Sequence, residues 1–191
     1  MSRAMSARTL EVIVMTLALL MPAAAEAGWQ ERATSFDQGR LARLDEAREK
    51  GLSESGGVAS DVLNAPVTGG SVAGDWRCRT IKLGGMTPSR VYSWFRCRII
   101  DRGGVLAFEK VTGTQRMAGL LYPEGEGYVY LGASWVKGEP PHRYSGNEAS
   151  LGAHATPDDQ VGVLHATAAG ARIEMPFPVQ ESTFDVIELR R

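Results

Sequence analysis

From Gly74 onward the chain alternates apolar and polar residues with a period of two. That spacing sends successive side chains to opposite faces of a strand. It predicts about eight strands, over 75–82, 91–100, 105–111, 115–122, 127–135, 160–167, 171–175 and 183–190. The stretches GGMTPS, DRGG, TGT, PEGEG and AAG supply turn signals between most of them. Short strands joined by tight turns favour an antiparallel meander, and eight of them can close into a barrel with no free edge. One connection breaks the pattern. Residues 136–159 are polar and carry Pro140 and Pro141. A loop that long in a compact domain is usually functional or disordered.

Upstream the pattern becomes helical. Residues 37–51, DQGRLARLDEAREKG, predict one helix, with Asp37 capping its first amides and Gly51 ending it in a left-handed turn. Leu41, Leu44, Ala47 and Arg48 share a face whose apolar part is thin, so this helix should pack on the outside of something larger. Residues 53–70 are rich in Gly, Ser and Ala and read mainly as a connector, with room for a short turn of helix around Asp61-Val62-Leu63. The expected fold is mainly β: an antiparallel meander of about eight strands, closed as a barrel, with an N-terminal α-helix outside it.

The first residues speak to compartment. Arg3 and Arg8 precede the apolar run VIVMTLALLM at 12–21, and Ala25-Glu26-Ala27 fits a small-x-small cleavage site. This is the pattern of a secretory signal peptide cut near Ala27. The run is about half the ~20 residues a membrane span requires, so no stable span is expected. The organisation expected is a signal peptide at 1–27, a helical N-terminal segment and linker at 28–73, and a barrel-like domain at 74–191. The protein should then be periplasmic or secreted. A formal net charge of −1 gives no global attraction for nucleic acid. Any charge-driven binding must come from local clustering.

Such clustering exists around the chain's two cysteines. Trp76-Arg77-Cys78-Arg79 and Phe95-Arg96-Cys97-Arg98 repeat one pattern: aromatic, arginine, cysteine, arginine. In an oxidising compartment the cysteines read as one disulfide, worth about 3 kcal/mol for a loop of roughly 20 residues. If Cys78 lies opposite Cys97, then Arg79 faces Arg96 and Arg77 faces Arg98. Trp76, Cys78, Phe95, Cys97 and Ile99 fall on one face. Arg77, Arg79, Arg96 and Arg98 fall on the other, with Ile81 and Trp94. Opposed like charges destabilise a sheet. Either neighbouring carboxylates lie between the arginines, with Glu109, Asp185 and Glu188 as candidates, or the face binds an anion or a partner.

No catalytic constellation emerges. His142, His154 and His165 lack metal-ligand spacing, although His142 and His154 share the long loop with Asp158 and Asp159. Gly132-Ala133-Ser134-Trp135 lacks the second glycine of a nucleophile elbow. Residues 110–116, KVTGTQR, read as a tight polar hairpin without phosphate-loop spacing. No enzyme activity, cofactor or metal is expected. Trp76, Trp94, Trp135, Phe95, Phe108, Tyr128 and Tyr130 read chiefly as core, or as the lining of an apolar cavity if the barrel is hollow.

Two resemblances add to this. Gly74-Asp75-Trp76 on the first strand, with Arg190-Arg191 ending the last, resembles the Gly-x-Trp signature of lipocalin-like barrels. It implies that Trp76 packs beneath Arg190 or Arg191 at one barrel end, and that a small apolar or amphipathic ligand could be carried inside. Gly-x-Trp with a disulfide in an exported barrel also resembles small periplasmic metalloprotease inhibitors, which act through a flexible N-terminal trunk. Over most of the chain, RLDEAREKGL, GDWRCRTIKLGG, YSWFRCRI, EKVTGTQRMAGLLYP, YVYLGA and PVQESTFDVIEL resemble the exported proteobacterial family of unknown function numbered 4893. That resemblance implies export and supplies no catalytic residues. The expected function is a non-catalytic binding or interaction module, its partner a periplasmic protein or a small amphipathic ligand.

Overall fold

The computed structural model describes residues 28–146 and 156–191. Four short helices precede the strands: α1 (Trp29–Arg32), α2 (Ser35–Leu41), α3 (Leu44–Glu54) and α4 (Ser60–Leu63). Nine strands follow: β1 (Gly74–Leu83), β2 (Ser89–Val91), β3 (Phe95–Asp101), β4 (Leu106–Lys110), β5 (Gln115–Glu124), β6 (Gly127–Val136), β7 (Asp159–Thr167), β8 (Gly170–Pro176) and β9 (Phe184–Arg190). Neighbours pair antiparallel in the order β2-β1-β3-β4-β5-β6-β7-β8-β9, and β1 also pairs with β9. That last ladder closes an eight-stranded barrel, with β2 as an extra strand on the far half of β1. Closure satisfies the edges of the two terminal barrel strands.

The single helix expected over 37–51 is two helices. Thr34, not Asp37, caps the first: its hydroxyl accepts from the Asp37 amide. Asp37 instead accepts hydrogen bonds from the Thr34 and Tyr144 hydroxyls and pairs with Arg40. Buried carboxylates persist where such partners exist. Gly51 does not end the helix. It lies inside α3, where a Cβ would come 2.7 Å from the Cβ of Phe184. The chain turns left-handed later, at Gly56 and Gly57, whose amides bond back to Ser53 and Leu52.

The strand expected over 91–100 is also two. Tyr92 donates its amide to the Thr80 carbonyl, and Phe95 pairs with Cys78. Ser93 and Trp94 therefore share the space opposite Arg79, which is a β-bulge. The bulge and the hairpin turn set the register. Cys97 sits opposite Trp76 rather than Cys78, Arg77 opposite Arg96, and Asp75 opposite Arg98. A slip of two residues preserves every face. The disulfide joins Cys78 and Cys97 diagonally, with Cα atoms 5.8 Å apart.

Inside the barrel, Trp76, Cys78, Cys97, Ile99, Phe108, Leu121, Tyr130, Leu164, Ile173 and Leu189 form one apolar core. Tyr130 is fully buried and meets Phe108 edge-to-face. Its ring folds over Gly119 and its hydroxyl lies against Gly132, positions where a Cβ would collide with it. The middle of the barrel is thus filled by side chains rather than left open for an apolar ligand. Two further cores lie outside. Ala47, Val62 and Leu63 pack on Ile81, Leu83, Phe184 and Val186, while Ala33 and Leu41 pack on Val129, Leu131 and Val161. Ile81, expected on the exposed arginine face, is buried there because helices cover that stretch of β1.

Candidate functional site

The first candidate is the uncovered outer face of β3, β1 and β9. Arg77 is the register partner of Arg96 on one side and of Arg190 on the other, so three arginines lie in a row across three strands. In the next row, Arg79 lies opposite Glu188, which lies opposite Arg172. Glu188 is buried and accepts from Arg79 Nε and Arg190 Nε, both at 2.6 Å. Arg98 pairs with Glu109 at 2.6 Å. Two of the three carboxylates expected among the arginines are therefore there. The third, Asp185, points into the barrel toward Lys82. Among the described residues, Arg77 and Arg96 form no ion pair, and both are exposed.

Trp94 completes this face. The bulge presents its half-buried ring beneath three guanidiniums, with the Cζ atoms of Arg79, Arg77 and Arg190 at 4.8, 5.4 and 5.6 Å from the ring centroid. Arginine stacked on an aromatic ring keeps its charge and its outward N–H groups available. The barrel-end contact involves the other terminal arginine. Arg191 lies 4.7 Å over Trp76, whose indole N–H donates to the Val72 carbonyl. Arg190 belongs instead to the arginine face. Its alternation with Glu188 along β9 carried that signal, since residues two apart share a face.

The second candidate is inside the barrel, at the end away from Trp76. Along β1 the inward residues run Trp76, Cys78, Thr80, Lys82; along β4, Phe108 then Lys110; along β9, Leu189, Ile187, Asp185. Each inward row turns from apolar to polar toward the same mouth. Gln115, Ser134 and Gln160 do the same on β5, β6 and β7. Two adjoining hollows, of about 200 and 70 Å³, share Lys82, Gln115, Ser134, Gln160 and Asp185 as lining. Sequence reading missed this site, although its signal is simple: a polar residue at the last inward position of strand after strand.

The mouth is electrostatically uneven. Burial pushes the Asp185 carboxyl up to about 6, against the opposing pull of Lys82 and a hydrogen bond from Ser182. Burial alone would lower Lys82, but Asp185 and Glu181 outweigh it and raise its pKa. Lys110 is different. Burial depresses its pKa, and nearby Arg116 and Lys82 depress it further. Its ammonium lies 4.5 Å over the Phe95 ring. Of the loop residues considered for a metal, His142 Nδ1 stands 3.0 Å from Asp158, while Asp159 accepts from Ser145 and Thr156. His154 lies outside the described residues.

An eight-stranded antiparallel meander closed on itself, filled in the middle and flanked by helices, places this molecule among the small up-and-down β-barrel proteins. The chain belongs to the family described as Domain of unknown function (DUF4893), which matches residues 29–189. No curated protein and no solved structure matches it.

Proposed function

We propose that this is an exported, non-catalytic interaction module that docks an acidic segment of a partner protein on its arginine–tryptophan face. The observation that carries the reading is the row Arg96, Arg77, Arg190 across β3, β1 and β9, where, among the described residues, Arg190 alone has a carboxylate, and it shares that Glu188 with Arg79. Like charges directly opposed in a sheet are unfavourable. A face that keeps them exposed around an aromatic ring suits a ligand bearing several carboxylates and some apolar surface. Export is supported by the leader-like pattern at 1–27 and by the disulfide. The N-terminal helices are packed on the barrel, unlike the free trunk of the metalloprotease inhibitors.

The test uses protein recovered from the periplasm or medium, its N-terminus sequenced to find the cut after Ala27. Titration with a polyglutamate peptide should move the Trp94 indole N–H signal in NMR spectra, with an affinity that falls as salt rises. Arg77→Glu with Arg96→Glu should abolish the response and leave the far-UV circular dichroism unchanged. An unmoved Trp94 signal, or binding that survives the charge reversals, rejects the reading.

A further inference from the structure

The barrel mouth is independent of the arginine face and points to a second ligand. Lys110 is only 8 % exposed, yet among the described residues its ammonium has neither a carboxylate nor a hydrogen-bond acceptor. The side chain is buried while its ammonium keeps contact with the hollow that it lines, and a partly desolvated cation without an anion gains from acquiring one. The charged groups that act on it make matters worse, since Arg116 and Lys82 are also cationic. Phe95 offers only its ring face. Lys82 is no substitute, because it is already engaged by Glu181 at 2.7 Å and Asp185 at 4.0 Å.

Lys110 and the side chain that starts the next strand, Gln115, bracket the β4–β5 turn and both line the mouth. Across from them stand Gln160 and Ser134, also lining it and neutral. Arg116 lines the same hollow, and among the described residues it too has no ion pair, so Lys110 and Arg116 are two uncompensated positive charges beside neutral donors and acceptors. The hollow beside them, of about 200 Å³, is smaller than the roughly 300–1,000 Å³ of pockets for drug-sized ligands. Asp185 and Glu181 in the same wall would repel a second negative charge.

We propose that the mouth binds a small monocarboxylate bearing hydroxyl or amide groups, its carboxylate on Lys110 and its polar tail on Gln115, Ser134 and Gln160. The carboxylates Asp185 and Glu181 in the adjoining wall favour a monoanion over phosphate, and the amide-lined wall selects a hydroxylated or amidated chain over a fatty one. This site explains why an apolar barrel turns polar at one end on six of its strands. It also differs from the apolar carrier expected of lipocalin-like barrels, because the filled interior stops below it.

The experiment is a titration of ¹³C-lysine-labelled protein with gluconate, and with sorbitol and inorganic phosphate as comparators. Gluconate should shift the Lys110 Cε signal and raise the melting temperature. Sorbitol and phosphate should do neither. Lys110→Met should abolish the gluconate response, and Gln115→Leu should weaken binding about tenfold, the size of one charge-assisted or buried hydrogen bond. Lys110→Met should also leave polyglutamate binding at Trp94 intact, which separates this site from the arginine face. A Lys110 signal that ignores gluconate overturns the proposal, as does a gluconate response that survives in Lys110→Met or an equal response to phosphate.

Discussion

Asp185 shows how one residue's surroundings set its chemistry. It is an acid at the inner end of β9, buried beside Lys82, with the Ser182 hydroxyl donating to it at 2.6 Å. Burial wins over both partners and lifts its pKa from an ordinary 3.8 to about 6. The folded protein therefore holds this proton more tightly than the unfolded chain. The resulting stability is present below pH 4 and is lost as the pH rises through 6. At about 1.4 kcal/mol per pH unit, that window amounts to roughly 3 kcal/mol. Denaturant titrations across pH 4–7 should show wild type losing stability relative to Asp185→Asn over that range. Parallel curves for the two proteins would show that Asp185 titrates normally.

At the scale of elements, close approach decides which glycines matter. Gly39 and Gly51 both lie within helices, and neither has a positive φ. A Cβ on Gly39 meets nothing within 4 Å, whereas on Gly51 it meets Phe184 at 2.7 Å and Leu83 at 3.3 Å. Gly51 is where α3 touches β9 and β1. Gly39→Ala should stabilise by up to about 1 kcal/mol through helix propensity. Gly51→Ala should destabilise by about 1–2 kcal/mol, because overpacking outweighs the same gain. Chemical denaturation of the two variants distinguishes them by sign, and a stabilised Gly51→Ala would mean that α3 is not held against Phe184. The same contact explains why the helix runs on through Gly51. Packing against the barrel offsets a poor helix former, and the helix stops only where Gly56 and Gly57 turn left-handed.

For the whole molecule, closure and cross-linking are separate devices. The β1–β9 ladder closes the barrel through backbone hydrogen bonds, and β9 supplies side chains to the cores on both of its faces. The disulfide only joins β1 to its neighbour β3. Removing it should leave the barrel intact but less stable. Cys78→Ala with Cys97→Ala should lose about 3 kcal/mol, which lowers the melting temperature by roughly 6–12 °C in a chain of this size. Calorimetry should still record one cooperative transition. An unchanged midpoint would mean that the bond does not constrain the unfolded chain, and a missing transition would mean that closure alone cannot hold the barrel.

The sequence by itself determined which face each barrel residue takes. Alternation is a local property of the strand, so Trp76, Cys78 and Cys97 were assignable to the interior and Arg77, Arg79, Arg96 and Arg98 to the exterior. A register two residues from the expected one left those assignments intact. The boundaries of most strands were legible for the same reason, since turn residues act within a few positions. Tertiary structure alone decided who stands beside whom. Arg79 meets Glu188 across a sequence separation of 109, through a ladder that exists only when the barrel closes. That closure put Arg190 beside Arg77 and Asp185 beside Lys82, and let helices bury Ile81. The bulge at Ser93 and Trp94 is likewise a compromise between two hairpin registers that neither strand specifies alone. Local periodicity says which way a side chain points; only non-local pairing says what it meets there.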